Sequence, residues 1–141
     1  MNATVRWTRA MQFTGTGAAG TTIAMDAQPE HGGQGAGPSP METVLLALGG
    51  CTGMDVISVL EKMRARLDGL EIRITAERAE EHPKVFTRIA LEYVFTGATL
   101  RPDQVTRAVE LSQTRYCSVS AMLRWGAELT YSWRIVPEGP A

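Results

Sequence analysis

The sequence is poor in net charge, cysteine, histidine and lysine, and each scarcity removes a class of function. A formal net charge of −1 and a pI near 6.1 over 141 residues leave no basic footprint of a nucleic-acid binder, whose domain pI exceeds roughly 9. Two cysteines, Cys51 and Cys117, are too few for a disulfide scaffold, and a single domain of this length needs none. The fourteen basic residues include only two lysines, Lys62 and Lys84; the rest are arginines. His31 and His82 are the only histidines, each beside Gly or Pro. With no C-x2-C or H-x3-H spacing, a zinc site made with them would need distant ligands, and no metal is expected. Neither histidine can be tied to a nucleophile, so a catalytic triad has no base. There is no GK[ST] ending, hence no P-loop, and no internal repeat.

Long apolar runs are also missing. The N-terminus has no apolar core of a secretory signal, which points to the cytoplasm, where thiols stay reduced. Val44–Leu60 is the most membrane-like stretch, but it holds three glycines and Asp55 and is shorter than the roughly 20 residues a span needs. It reads as a buried pair of helices, and no membrane partner is expected.

The patterns that remain outline one domain over 1–141. Residues 3–13 and Thr21–Met25 are β-prone, with Thr14–Gly20 as the turn between them. A mobile, exposed loop rich in Gly and Pro follows to Ser39. Ser39-Pro40-Met41-Glu42 forms a capping box with Pro at the first helical position. The helix it opens is interrupted at Gly49-Gly50, and a second segment runs from about Thr52 to Leu67, ended by Asp68-Gly69. Leu70–Glu77 and Val85–Phe95 alternate apolar and polar residues, and the short link between them makes an antiparallel hairpin. Pro102 opens a helix ending near Tyr116, Cys117–Trp125 gives a short helix, and Leu129, Tyr131, Trp133 and Ile135 alternate in a last strand. The order is ββ-αα-ββ-αα-β, an α+β fold with helices on an antiparallel sheet.

Gly15-Thr-Gly17-Ala-Ala-Gly20 matches G-x-G-x-x-G, but β-branched Thr21-Thr22-Ile23 follow where a dinucleotide site requires a helix. A hairpin turn is the reading. The cysteines carry more chemistry. Cys51 follows Gly49-Gly50 and Cys117 follows Tyr116, so each opens a helical segment, where the dipole favours a thiolate. Two such thiols suit a pair in which one attacks and the other resolves; the plainer alternative is two small buried hydrophobes. Glu42 belongs to the capping box, about 13 Å from Cys51 along an unbroken helix, so only a bend at Gly49-Gly50 brings it close. Arg6 and Arg9 on the first strand either supply positive charge to a thiolate or line a solvated face.

Gly37-Pro-Ser-Pro-Met-Glu42, Ala47-Leu-Gly-Gly-Cys51-Thr-Gly-Met-Asp55 and Tyr116-Cys117-Ser-Val-Ser120 together resemble the OsmC/Ohr superfamily of osmotically inducible and organic hydroperoxide resistance proteins, closest to its less characterised OsmC-like branch. The resemblance covers the whole chain. It implies an intertwined homodimer with antiparallel sheets around central helices and active sites at the interface. It also implies a thiol peroxidase of the oxidative stress response that uses no cofactor. Cys51 would attack an organic hydroperoxide and become a sulfenic acid. Cys117 would resolve it as a disulfide, which a small dithiol or lipoyl-type reductant reopens. An Arg and a Glu would support the thiolate. The sequence departs from the pattern at both supports: Gly15-Thr16-Gly17 offers no Arg, and Met41 stands where the hydroperoxide enzymes place Glu, with Glu42 one residue later. The missing Arg motivates a runner-up reading, a non-catalytic dimer of this fold that binds a small apolar ligand at its interface.

Overall fold

A computed structural model describes residues 1–137. They divide into two units, Met1–Leu46 and the remainder from Ala47.

The first unit is a three-stranded antiparallel sheet in the order β1 (Ala3–Arg9), β2 (Gln12–Gly17), β3 (Thr22–Met25). The expected first strand is therefore two. Ala10 takes a left-handed φ of 45°, while Trp7 Nε1 donates to the Ala10 carbonyl at 2.8 Å and Thr8 Oγ1 to the Gln12 carbonyl at 3.0 Å. Those bonds close a turn that alternation cannot reveal. Gly15 and Gly17, expected in a turn, lie within β2, opposite Val5 and Ala3. Every residue of β1 is exposed.

The loop after β3 is ordered, contrary to the sequence expectation, because it is built around one buried side chain. The Asp26 carboxylate accepts from the amides of Ala27, Gln34 and Ala36 at 2.7, 3.1 and 3.1 Å. Gly33 is needed there: a Cβ would meet the Ala27 carbonyl oxygen at 1.9 Å. Burial pushes the Asp26 pKa up, but the three amides and the charge of Arg9 outweigh it and hold the group below its ordinary value.

Helix α1 (Pro40–Lys62) starts in the first unit and continues into the second. The capping box is present: Glu42 donates its amide to Ser39 Oγ at 3.2 Å and accepts from the Ser39 amide at 2.7 Å. The expected break at Gly49-Gly50 does not occur. Glycine costs about 1 kcal/mol in a helix interior, yet Gly49 and Gly53 let the helix lie close to the strand that follows. A Cβ at each would sit 3.1 Å from Ile74 Cδ1 and 3.3 Å from Ile72 Cδ1. The helix also stops five residues before Leu67. Arg64 adopts φ 55°, and the Ala65→Leu60 and Arg64→Glu61 amide bonds make a Schellman closure with Arg where Gly is usual.

By length and hydropathy α1 could cross a membrane. Instead Leu48, Val56, Val59 and Leu60 are buried in the second unit, whose sheet runs β4 (Gly69–Arg78), β5 (Phe86–Thr96), β6 (Glu128–Val136). β4 and β5 form the expected antiparallel hairpin, Ile74 opposite Leu91. β6 corrects the all-antiparallel expectation. It pairs with β5 in parallel, Ile89 beside Leu129, because α2 (Pro102–Leu111), a π-helical turn (Ser112–Tyr116) and α3 (Ser118–Leu123) carry the chain back to the start of β5. Ile89, Leu91, Tyr93 and Phe95 of β5 and Val105, Ala108 and Val109 of α2 complete the core.

Candidate active site

Cys51, Thr52 and Asp55 lie in the middle of α1, with Cys51 and Asp55 one turn apart on the same face. The π turn after α2 presents Ser112 and Gln113, and the chain then becomes extended at Cys117 (φ −70°, ψ 102°), the N-cap of α3. These segments meet. The sulfurs of Cys51 and Cys117 and a carboxylate oxygen of Asp55 all lie within 4.8 Å of one another. Cys51 is partly exposed, while Cys117 retains 4% of its accessible surface.

A buried polar network supports the group. Thr52 Oγ1 is 2.6 Å from Tyr93 Oη and 2.6 Å from Ser112 Oγ. Gln113 Nε2 donates to both Tyr93 Oη, at 2.7 Å, and Thr52 Oγ1, at 3.1 Å. Ser112 Oγ donates to Asp55 at 3.0 Å. Arg124 closes the far end, with Nη2 donating to Gln113 Oε1 at 3.0 Å and Nη1 to the Gln113 carbonyl. The hydroxyls of Thr52, Tyr93 and Ser112 are all engaged, which keeps burial of so many polar groups tolerable.

The helix-start argument for the thiols fails in part. Cys51 is inside a long helix, so no helix terminus acts on it. Cys117 does open a helix, and its sulfur accepts from the Ser120 amide at 3.4 Å. Burial nevertheless pushes the Cys117 pKa up; Ser120 opposes this and the facing Cys51 adds to it. Burial also raises the Tyr93 pKa, against the bonds from Thr52 and Gln113, so the phenol stays protonated. The arrangement pairs a partly exposed thiol with a buried one, their sulfurs within 4.8 Å of each other.

The other expected site residues are placed elsewhere. Glu42 sits in the first turn of α1, its pKa lowered by the Ser39 amide and hydroxyl, and the bend that would carry it to Cys51 is absent. Arg6 and Arg9 are exposed on β1, with Arg9 Nε donating to Gln12 Oε1 at 3.3 Å. Sequence reasoning missed Asp55, Thr52, Ser112, Gln113, Tyr93 and Arg124. Only Asp55 left a signal, a lone charge in an apolar run four residues after a cysteine.

The family described as OsmC-like protein matches residues 32–132. Protein YhfA of Escherichia coli K12 is 43% identical over 136 residues, 96% of this chain and 98% of that protein. A crystal structure of a protein from Aquifex aeolicus VF5 superposes with a TM-score of 0.85 at 30% identity, covering 98% of this chain and 97% of that one. An organic hydroperoxide resistance protein OsmC from Legionella pneumophila shares the fold, with a TM-score of 0.69 at 17% identity over 94% of each chain. By the family match over residues 32–132 and the 43% identity to protein YhfA, this chain belongs to the OsmC-like protein family.

Proposed function

We propose that the protein is a cytoplasmic thiol peroxidase that reduces organic hydroperoxides. The observation that carries this is the exposed–buried thiol pair, with its sulfurs within 4.8 Å. The Cys51 thiolate attacks one peroxide oxygen, the O–O bond breaks, and the other oxygen leaves as an alcohol after taking a proton. Cys51 is then a sulfenic acid. Cys117 attacks that sulfur, water departs, and the disulfide forms; a dithiol of the small or lipoyl type returns both thiols.

The working unit in this reading is a homodimer. Val5 and Trp7 on β1 and, separately, Leu46, Met54 and Ile57 on α1 are apolar and exposed, faces that a second copy would cover. Within the dimer Arg6 or Arg9 supplies the cation the thiolate needs.

The test treats reduced protein with tert-butyl hydroperoxide and counts thiols. The expected result is loss of both thiols per chain with a mass decrease of two hydrogens, and a trappable sulfenic acid in Cys117→Ser. Thiols that survive a modest excess of peroxide overturn the reading. The absence of Arg from Gly15-Thr16-Gly17 supports a second reading, an interface pocket for a small apolar ligand. A ligand that co-purifies in native mass spectrometry, together with inert cysteines, would favour it.

A further inference from the structure

The two thiols have an acid beside them, Asp55, with a carboxylate oxygen within 4.8 Å of both sulfurs. Asp55 makes no ion pair among the described residues. Its carboxylate therefore adds negative charge where a thiolate would add more. Such a cluster is poorly suited to stand alone and well suited to surround a cation.

We propose that the reduced Cys51–Cys117 pair and Asp55 form a binding site for a thiophilic divalent cation of the Zn²⁺ class. Two sulfurs and one carboxylate oxygen match the donor preference of Zn²⁺, and three protein ligands leave a fourth position open. At metal–ligand distances of about 2.3 Å to sulfur and 2.1 Å to oxygen, tetrahedral donors stand roughly 3.5–3.8 Å apart. The observed ceiling of 4.8 Å needs a contraction of little more than about 1 Å, within the reach of side-chain rotation.

The outer contacts support the same reading. Ligating carboxylates are commonly fixed by a further hydrogen bond, and Asp55 is held by Ser112 Oγ, itself bonded to Thr52. The Cys117 sulfur already accepts from the Ser120 amide. The Ser120 hydroxyl, fully buried, has no hydrogen-bond partner among the described residues. Cys51 and Asp55 are both partly exposed, which gives the cation a way in. The sequence argument against a metal required histidine or C-x2-C spacing; the fold supplies Asp55 in their place.

Binding releases the thiol protons and forms two metal–sulfur bonds and one metal–oxygen bond, with no change of oxidation state. The site needs reduced thiols and does not depend on peroxide chemistry. A disulfide removes two of its three ligands, so oxidation would release the cation.

The experiment titrates reduced, metal-free protein with Zn²⁺ against a chromophoric chelator and repeats it with Co²⁺ to read ligation spectroscopically. One cation per chain and a thiolate-to-Co²⁺ charge-transfer band are expected. Both should vanish in Cys51→Ser, in Cys117→Ser and in the disulfide form. Ser112→Ala, which removes only a supporting bond, should weaken binding within the roughly 10–100-fold range of outer contacts, and Asp55→Asn, which removes a ligand, by a larger factor. Absence of binding to reduced protein overturns the proposal, as do equal binding by the disulfide form and unchanged affinity in both Asp55→Asn and Ser112→Ala. Zinc uptake with peroxide-inert thiols would leave the site standing and remove the peroxidase reading; peroxide-reactive thiols without uptake would do the reverse.

Discussion

Joining Cys51 to Cys117 should stabilise the fold by an amount that can be worked out from where the two residues stand. They are 66 positions apart in the chain, and a crosslink over a loop of that length removes about 4 kcal/mol of unfolded-chain entropy. Against this stands the strain of bringing sulfurs from within 4.8 Å to the roughly 2.05 Å of a disulfide. Cys51 is fixed in the middle of α1, so Cys117 must supply most of the movement. It stands in extended backbone between a π turn and the six-residue α3. A net gain of about 2–4 kcal/mol is expected. At roughly 3 °C per kcal/mol for a domain of this size, that is a rise in Tm of about 6–12 °C. The assay compares melting of protein oxidised with stoichiometric peroxide against the same sample reduced with dithiothreitol, at one protein concentration. Cys117→Ser should show no difference between the two conditions. If mass spectrometry confirms the intrachain disulfide and Tm stays level or falls, the two sulfurs do not rest near bonding geometry, and the resolving role of Cys117 loses its basis.

Two further outcomes test the surroundings of the site. Thr52→Val keeps the buried shape and removes one hydroxyl that bonds Tyr93, Ser112 and Gln113; each of those keeps another partner, so urea denaturation should report a loss of only about 1–3 kcal/mol, and a neutral or stabilised variant would show that the network is not formed. Asp26 has a folded pKa below its ordinary 3.8, so its contribution is present above that value and fades as the pH falls through the folded one. Asp26→Asn should therefore be less stable than wild type at neutral pH, with the gap narrowing below about pH 4; parallel stability curves across that range would contradict the assignment.

Much of the architecture was legible where a local rule had no tertiary competitor. Ser39 and Glu42 satisfy each other's amides as their spacing requires, and the expected β4–β5 hairpin forms with ten residue pairs. The misreadings have a common cause. Gly49-Gly50 looked like a break because glycine weakens an isolated helix, while in the fold the missing side chain of Gly49 admits Ile74, as that of Gly53 admits Ile72. Arg64 ends α1 in a left-handed conformation that no residue-type signal announces. The parallel pairing of β6 depends on where the α2–α3 crossover delivers the chain, which alternation within β6 cannot encode.

Asp55 shows the limit most clearly, because its meaning changes with the level at which it is read. In the sequence it is a charge that argues against a membrane span. On the helix it shares a face with Cys51, and in the fold it gains Cys117 as a neighbour and Ser112 as a donor. The same step redefines the thiols. Their reactivity was first assigned to helix termini, a local effect; Cys51 has no terminus near it, and burial dominates at Cys117. What controls this pair is the charge placed around it after folding. A peroxidase needs a positive group there and the described chain supplies a carboxylate, so the cation must be brought in, by an arginine of β1 in an assembled dimer or by a bound metal. Arginine would activate Cys51 toward peroxide, whereas a metal would hold both sulfurs and block it. Measuring peroxide reactivity and zinc uptake on one reduced preparation therefore separates the two sources of charge.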